Sequence, residues 1–147
     1  MKFNSNINIW LLFLIISVSQ FGFSLFLPSL PEISINLEAP TSITELTVVY
    51  YMIGLLVSQL IYGPLSDFYG RRKIMLSGMS IFIIGTALAT ISWNINLLLI
   101  ARLVQGLGIG SATTIGRAIL RDVFTGDEYI KSASILASFA AVTRVFI

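Results

Sequence analysis

Gly63-Pro64-Leu65-Ser66-Asp67-Phe68-Tyr69-Gly70-Arg71-Arg72-Lys73 is a polar stretch set between two apolar blocks, and its reading decides the fold. On either side the chain is almost uncharged for the length of a membrane span. The eleven residues hold one carboxylate, two glycines and three consecutive cations. A connector this short joins two antiparallel helices only by turning tightly. Gly70 supplies a positive φ at little steric cost, and Pro64 is expected to mark a helix end. A solvated basic turn explains the cations but leaves the Gly63–Asp67–Gly70 spacing without a reason.

Composition points the same way. Charged residues make up 11% of the 147 residues and apolar ones 56%, where soluble domains carry about 25% charge. A soluble core of this size would need a charged surface, so the membrane reading wins. The net charge of +2 gives no reason to expect a nucleic-acid partner, because the cations are mostly confined to turns where membrane topology accounts for them. The chain has no Cys and no His, which removes disulfides, thiolates and the commonest general base and metal ligand. No enzyme, metal or cofactor is expected.

Working outward, five apolar runs appear, at about 8–30, 45–65, 74–93, 97–116 and 129–147. Each of the first four has the ~20 residues needed to cross the hydrocarbon. The first is too long for a signal-peptide core and ends at Leu27-Pro28-Ser29-Leu30-Pro31. Residues Pro31 to Thr41 read as a polar connector, after which Ser42 and Glu45 are spaced as a capping box. Gly54 and Ser58 in the second run, and Gly78 and Gly85 in the third, are spaced to let a neighbouring helix come close. Trp93 closes the third run where interfacial aromatics are favoured. Asn94-Ile95-Asn96 makes the third and fourth runs an antiparallel hairpin. The expected architecture is an all-α integral membrane bundle of four complete helices and a partial fifth, in one domain.

The cations alternate with connector parity. Lys2, Arg71–Lys73, Arg117, Arg121 and Lys131 fall on connectors of one parity, and the other connectors carry none. The positive-inside rule then puts the N-terminus and the basic turn in the cytoplasm, in a multi-pass protein of the cell's inner membrane.

Arg102 stands out inside the fourth run. An arginine at the bilayer centre costs about 2.5–3.5 kcal/mol on insertion scales, so it is expected to face a cavity or a partner; snorkelling to the interface is the competing reading. Gln105 and Gly106 share its helical face. In the first run, Gln20 and Phe21, with Phe23 and Phe26, are candidates for a substrate-cavity wall.

The basic turn resembles the loop between the second and third helices of major facilitator superfamily transporters, G-x-L-x-D-x-x-G-R-R/K, with Gly63, Leu65, Asp67, Gly70, Arg71 and Arg72 matching. Phe68 departs from the basic residue common there. The resemblance implies that Asp67 and the following arginine form a cytoplasmic gate with helices of the second half. Arg102-x-x-Gln105-Gly106-x-Gly108 resembles the fourth-helix motif, whose arginine is linked to proton coupling in proton-driven members. Leu27-Pro28-Ser29-Leu30-Pro31 and Arg117-Ala118-Ile119-Leu120-Arg121-Asp122 resemble stretches of drug:proton antiporters of the bicyclomycin and chloramphenicol resistance group. The resemblance therefore implies the N-terminal part of a proton-coupled multidrug efflux transporter. Proton motive force would be its energy source, and protons and small amphiphilic drug-like molecules its cargo. Its surroundings would be lipid, with room for a complementing C-terminal fragment. Twelve spans need ~240 residues, so this chain alone is expected to be inactive. The alternative is a small membrane protein that binds other helices through its small-residue faces, as an assembly or regulatory subunit.

Overall fold

The structure is a computed structural model that describes residues 26–123 together with 126, 130, 131, 133–135 and 138. A single 3-10 turn, Leu27–Ser29, leads into a short helix α1, Leu30–Asn36. Three long helices follow: α2, Thr41–Tyr69; α3, Arg71–Thr90; and α4, Ile95–Val123. All three are long and apolar enough to cross a membrane. The expected all-α membrane bundle is what forms. The runs at 8–30 (before Phe26) and 129–147, with Gln20 and Phe21, lie outside the described residues apart from isolated positions.

The boundaries differ from the expected ones, each for a local reason. The connector Pro31 to Thr41 is partly helical, because Pro31 sits in the first turn of α1, where its missing N–H costs nothing. That helix stops at Asn36, and Glu38 takes a left-handed φ of 47°. Ala39 N–H donates to the Ser34 carbonyl, and Ser34 Oγ donates to the Ala39 carbonyl. The Ser42–Glu45 capping box does not form. The helix begins two residues earlier than such a box would set it, with Pro40 as its flanking residue, and the Pro40 carbonyl accepts from Ile43 and Thr44 N–H. At the other end α2 runs straight through Pro64 to Tyr69. In an apolar medium, continuing the helix keeps every following amide bonded, and one lost donor is the smaller cost. Ser66 Oγ meanwhile donates to the Gly63 carbonyl at 2.9 Å. The eleven-residue turn therefore shrinks to Gly70 alone, at φ 93° and ψ 138°, a conformation that glycine tolerates and other residues rarely adopt. At the next turn, α3 ends at Thr90, and α4 starts at Ile95 inside the expected turn, capped by Asn94, whose Oδ1 accepts from Leu97 N–H at 2.8 Å. At its far end α4 continues past Gly116 to Val123.

The buried face of α2 is Thr44, Thr47, Tyr51, Gly54, Ser58, Tyr62 and Ser66, a stripe at three- and four-residue spacing. Its outward face carries Leu46, Val49, Ile53, Leu56, Val57, Leu60 and Ile61. Small and polar side chains point inward and large apolar ones outward, as lipid demands. The small residues are where helices meet. A Cβ on Gly54 would strike Leu103 O and Leu107 N of α4, and one on Gly106 would strike Tyr51 O of α2. A Cβ on Gly110 would meet Ser58 Oγ, while one on Gly108 would meet Phe82 N of α3. Gly78 lies against Ser111, and Gly85 against Gln105. The α2 contacts rise in number along both chains and the α3 contacts run opposite. So α2 and α4 are parallel, α3 is antiparallel to both, and α4 lies between them. Ile109, Ala112 and Tyr51 form the apolar centre, flanked by Leu55, Met79 and Phe82.

Candidate functional site

Among the described residues, two polar constellations stand in this apolar frame, one toward each end. At the basic end, the tight turn at Gly70 places Arg71 at the start of α3 beside the last turn of α2. Arg71 Nη2 meets Asp67 Oδ1 at 3.0 Å, and its Nε meets Asp122 Oδ2 of α4 at 2.8 Å. Nη1 donates to the buried Ser66 Oγ at 3.3 Å. One guanidinium thus joins the ends of all three long helices. The carboxylate side chains are 66% and 51% exposed, so each pair contributes about 0–1 kcal/mol, and the value of the clasp is geometric.

The six motif positions do not act alike. Asp67, Gly70 and Arg71 come together in this clasp. Leu65 is half-buried, and Arg72 is exposed. Gly63 has nothing within 4 Å of the position a Cβ would take. Sequence reasoning did not single out Asp122 or Ser66 as site residues. Asp122 is 51 positions from Arg71, and only the parallel packing of α2 and α4 brings it to the same end.

The second constellation lies about 10 Å into α4, seven residues past Ile95 at ~1.5 Å per residue. Arg102 is only 4% exposed, so its side chain lies inside the bundle and not along its outer surface. Its Nη1 donates to Gln105 Oε1 at 2.8 Å. Arginine can only donate, which fixes the Gln105 amide: its Nε2 donates to Thr86 Oγ1 of α3 at 3.0 Å. Thr86 in turn donates to the Phe82 carbonyl at 2.9 Å. The Phe26 ring lies over the guanidinium at 3.4 Å and the Tyr51 ring of α2 at 4.9 Å, contacts worth up to about 2 kcal/mol each when desolvated. Arg102 Nε and Nη2 are buried with no hydrogen-bond partner among the described residues.

Arg102 and Gln105 stand at one wall of a cavity of about 350 Å³, with Phe26, Thr86 and Leu98. Ile33, Asn36 and Leu37 of the α1 segment join Ala89, Thr90 and Ser92 at the end of α3 in the lining, so it reaches the end of the bundle away from Arg71. Of the three residues grouped on this motif, Gly106 serves packing: it lies against Tyr51 and lets α2 approach. The contributions of Thr86 and Tyr51 were missed in the sequence, since each comes from another helix. Phe26 is the one member of the proposed first-run aromatic wall among the described residues, and it stands at the cavity.

Residues 12–147 match the model of the Major Facilitator Superfamily. The chain belongs to the Major Facilitator Superfamily. It is 38% identical over 133 residues to the uncharacterized MFS-type transporter YdgK of Bacillus subtilis, covering 90% of this chain and 33% of that protein. Against multidrug resistance protein D of Escherichia coli, identity is 31% over 137 residues, 92% of this chain and 35% of the relative. For multidrug resistance protein MdtL of Vibrio parahaemolyticus it is 32% over 121 residues, 82% and 31%. The chain thus spans about a third of the length of these curated relatives. The first is named a transporter and the other two multidrug resistance proteins, and this superfamily member is a multi-pass membrane protein.

Proposed function

We propose that the chain supplies N-terminal helices of a proton-coupled multidrug efflux transporter. The observation that carries the reading is the buried, cavity-lining Arg102, tied through Gln105 to α3 and roofed by aromatic rings of two other segments. A guanidinium is costly at this depth, so a function that needs it there is the economical explanation. Multidrug resistance in the names of two relatives supports amphiphilic drug-like cargo. Proton coupling comes from the motif resemblance at Arg102, and proton motive force takes the place of a cofactor. The Asp67–Arg71 pair, with Asp122, is read as the cytoplasmic gate, which puts the N-terminus in the cytoplasm of an inner-membrane protein. Export is taken to need the further helices that the relatives' length implies, as one chain or as a complementing fragment.

The helix-binding subunit draws no support from the packing. Gly54, Gly78, Gly85, Gly106, Gly108 and Gly110 are all used inside this bundle, which leaves them no part in recruiting another protein.

Uncoupler-sensitive exclusion of ethidium from cells making the full-length gene product tests the reading. Arg102→Lys keeps the charge but loses the planar fork, and should cut exclusion at least tenfold. Undiminished exclusion in that variant overturns the assigned role of Arg102.

A further inference from the structure

Arg102 carries five N–H donors in a planar fork. One is used by Gln105, while Nε and Nη2 have no partner among the described residues. These two nitrogens share one edge of the group, the edge that grips a carboxylate through two parallel hydrogen bonds. Arg71 shows what that edge takes in this protein. There Nε and Nη2 meet carboxylate oxygens of Asp122 and Asp67.

No carboxylate among the described residues does the same for Arg102. Glu32, Glu38 and Glu45 are exposed. Asp67 pairs with Arg71, as does Asp122, which lies twenty residues further along α4, about 30 Å away at the helical rise. Residues 1–25 contain no Asp or Glu. The rings of Phe26 and Tyr51 cover the guanidinium with carbon. Among the described residues, the cavity beside it is lined by apolar Phe26, Ile33, Leu37 and Leu98, with hydroxyls from Thr86, Thr90 and Ser92 and amides from Asn36 and Gln105, and no carboxylate. At about 350 Å³ it is at the small end of ligand sites, which run from about 300 to 1,000 Å³.

We propose that this cavity binds an amphiphilic monocarboxylate, with the carboxylate on Nε and Nη2 of Arg102 and the apolar body along Phe26, Leu37 and Leu98. The inference names a substrate class for the transporter reading and rests on that reading only for transport of the bound molecule. An inorganic anion offers the edge the same charge, but it gains nothing from the apolar lining. Because both nitrogens are closed off from solvent, binding requires the groups packed on that edge to yield to the carboxylate.

The test uses the full-length gene product in nanodiscs, with empty discs subtracted, and equilibrium dialysis of 2-naphthoate and 2-naphthamide, which share one body and differ in charge. Naphthoate should bind at least tenfold more tightly, and the preference should disappear in Arg102→Gln. Equal binding of the two probes by the unaltered protein overturns the proposal without reliance on any variant. Exchanging a Hepes salt for 150 mM chloride should move naphthoate affinity less than twofold. Full displacement by chloride assigns the edge to an inorganic anion and also overturns it. Ethidium exclusion is read separately. Exclusion without naphthoate preference removes this inference and keeps the transporter, and preference without exclusion does the reverse.

Discussion

A methyl group at Gly106 would run into the backbone carbonyl of Tyr51, whereas one at Gly63 would meet nothing within 4 Å. Both glycines sit in motifs, and spacing alone treats them alike. Their helices separate them: Gly106 lies where α4 crosses α2, and Gly63 lies on no such contact among the described residues. Gly106→Ala should therefore lower stability by about 1–3 kcal/mol, because backbone cannot yield as a side-chain tip can. Gly63→Ala should leave stability unchanged or raise it by up to ~1 kcal/mol through helix propensity. Denaturant unfolding of the two variants, side by side in one detergent, decides the matter; equal losses would mean that Gly63 is also a packing residue. The same distinction limits what could be read at Arg102. Gln105, three residues on, was legible as its partner because both lie on one face of one helix. Thr86 and Tyr51 were not, because nothing in the chain states which faces of α2 and α3 meet α4 at that level.

Gly70 and the Arg71 clasp belong to the scale of the element. A turn of one residue between α2 and α3 demands the φ of 93° that Gly70 adopts. Gly70→Ala should strain the joint by about 1–3 kcal/mol and lower the amount of folded protein in membranes. Unaltered yield and melting would show that the helices can join another way. The clasp is different in kind. Asp122→Asn removes an exposed ion pair, so the melting temperature should scarcely move. Amides of the last α4 turn should nevertheless exchange severalfold faster, and raised salt should mimic the change in the unaltered protein. A loss of stability as large as that of Gly106→Ala would make the clasp a structural strut, not a latch. The helices were legible from apolar run length, but their ends were not. Pro64 reads as a stop in water, yet in lipid the chain keeps its helix because an unwound backbone costs more than one missing donor. The short α1 was hidden in a connector whose polar residues looked like a loop. Asp122 was visible only as part of a connector, since its contact with Arg71 depends on α2 and α4 being parallel.

For the whole molecule, the inward polar stripe of α2 and its outward apolar face fix the solvent as lipid, and the number of crossings then fixes which ends share a side. The basic turn, Arg117, Arg121 and Asp122 gather at one end, because Arg71 touches Asp122 across the bundle. Asn36, Leu37 and Ser92 gather at the other, because they line one cavity. This sorting was legible from the alternation of charged and uncharged connectors, and the helix packing reaches it by an independent route. The positive-inside rule adds the compass: the end with Arg72 and Lys73 should face the cytoplasm. The chain contains no Cys, so single cysteines report without background. Arg72→Cys and Lys131→Cys replace exposed residues on the basic side, and Glu32→Cys and Trp93→Cys replace exposed residues on the other. In intact cells an impermeant maleimide should label positions 32 and 93 and spare 72 and 131 until the membrane is permeabilised. Labelling at 72 from outside would invert the bundle and open the Arg102 cavity to the cytoplasm. Labelling at both 72 and 93 would mean that the two ends of α3 do not lie on opposite sides, which the 20-residue length of that helix forbids for a single crossing.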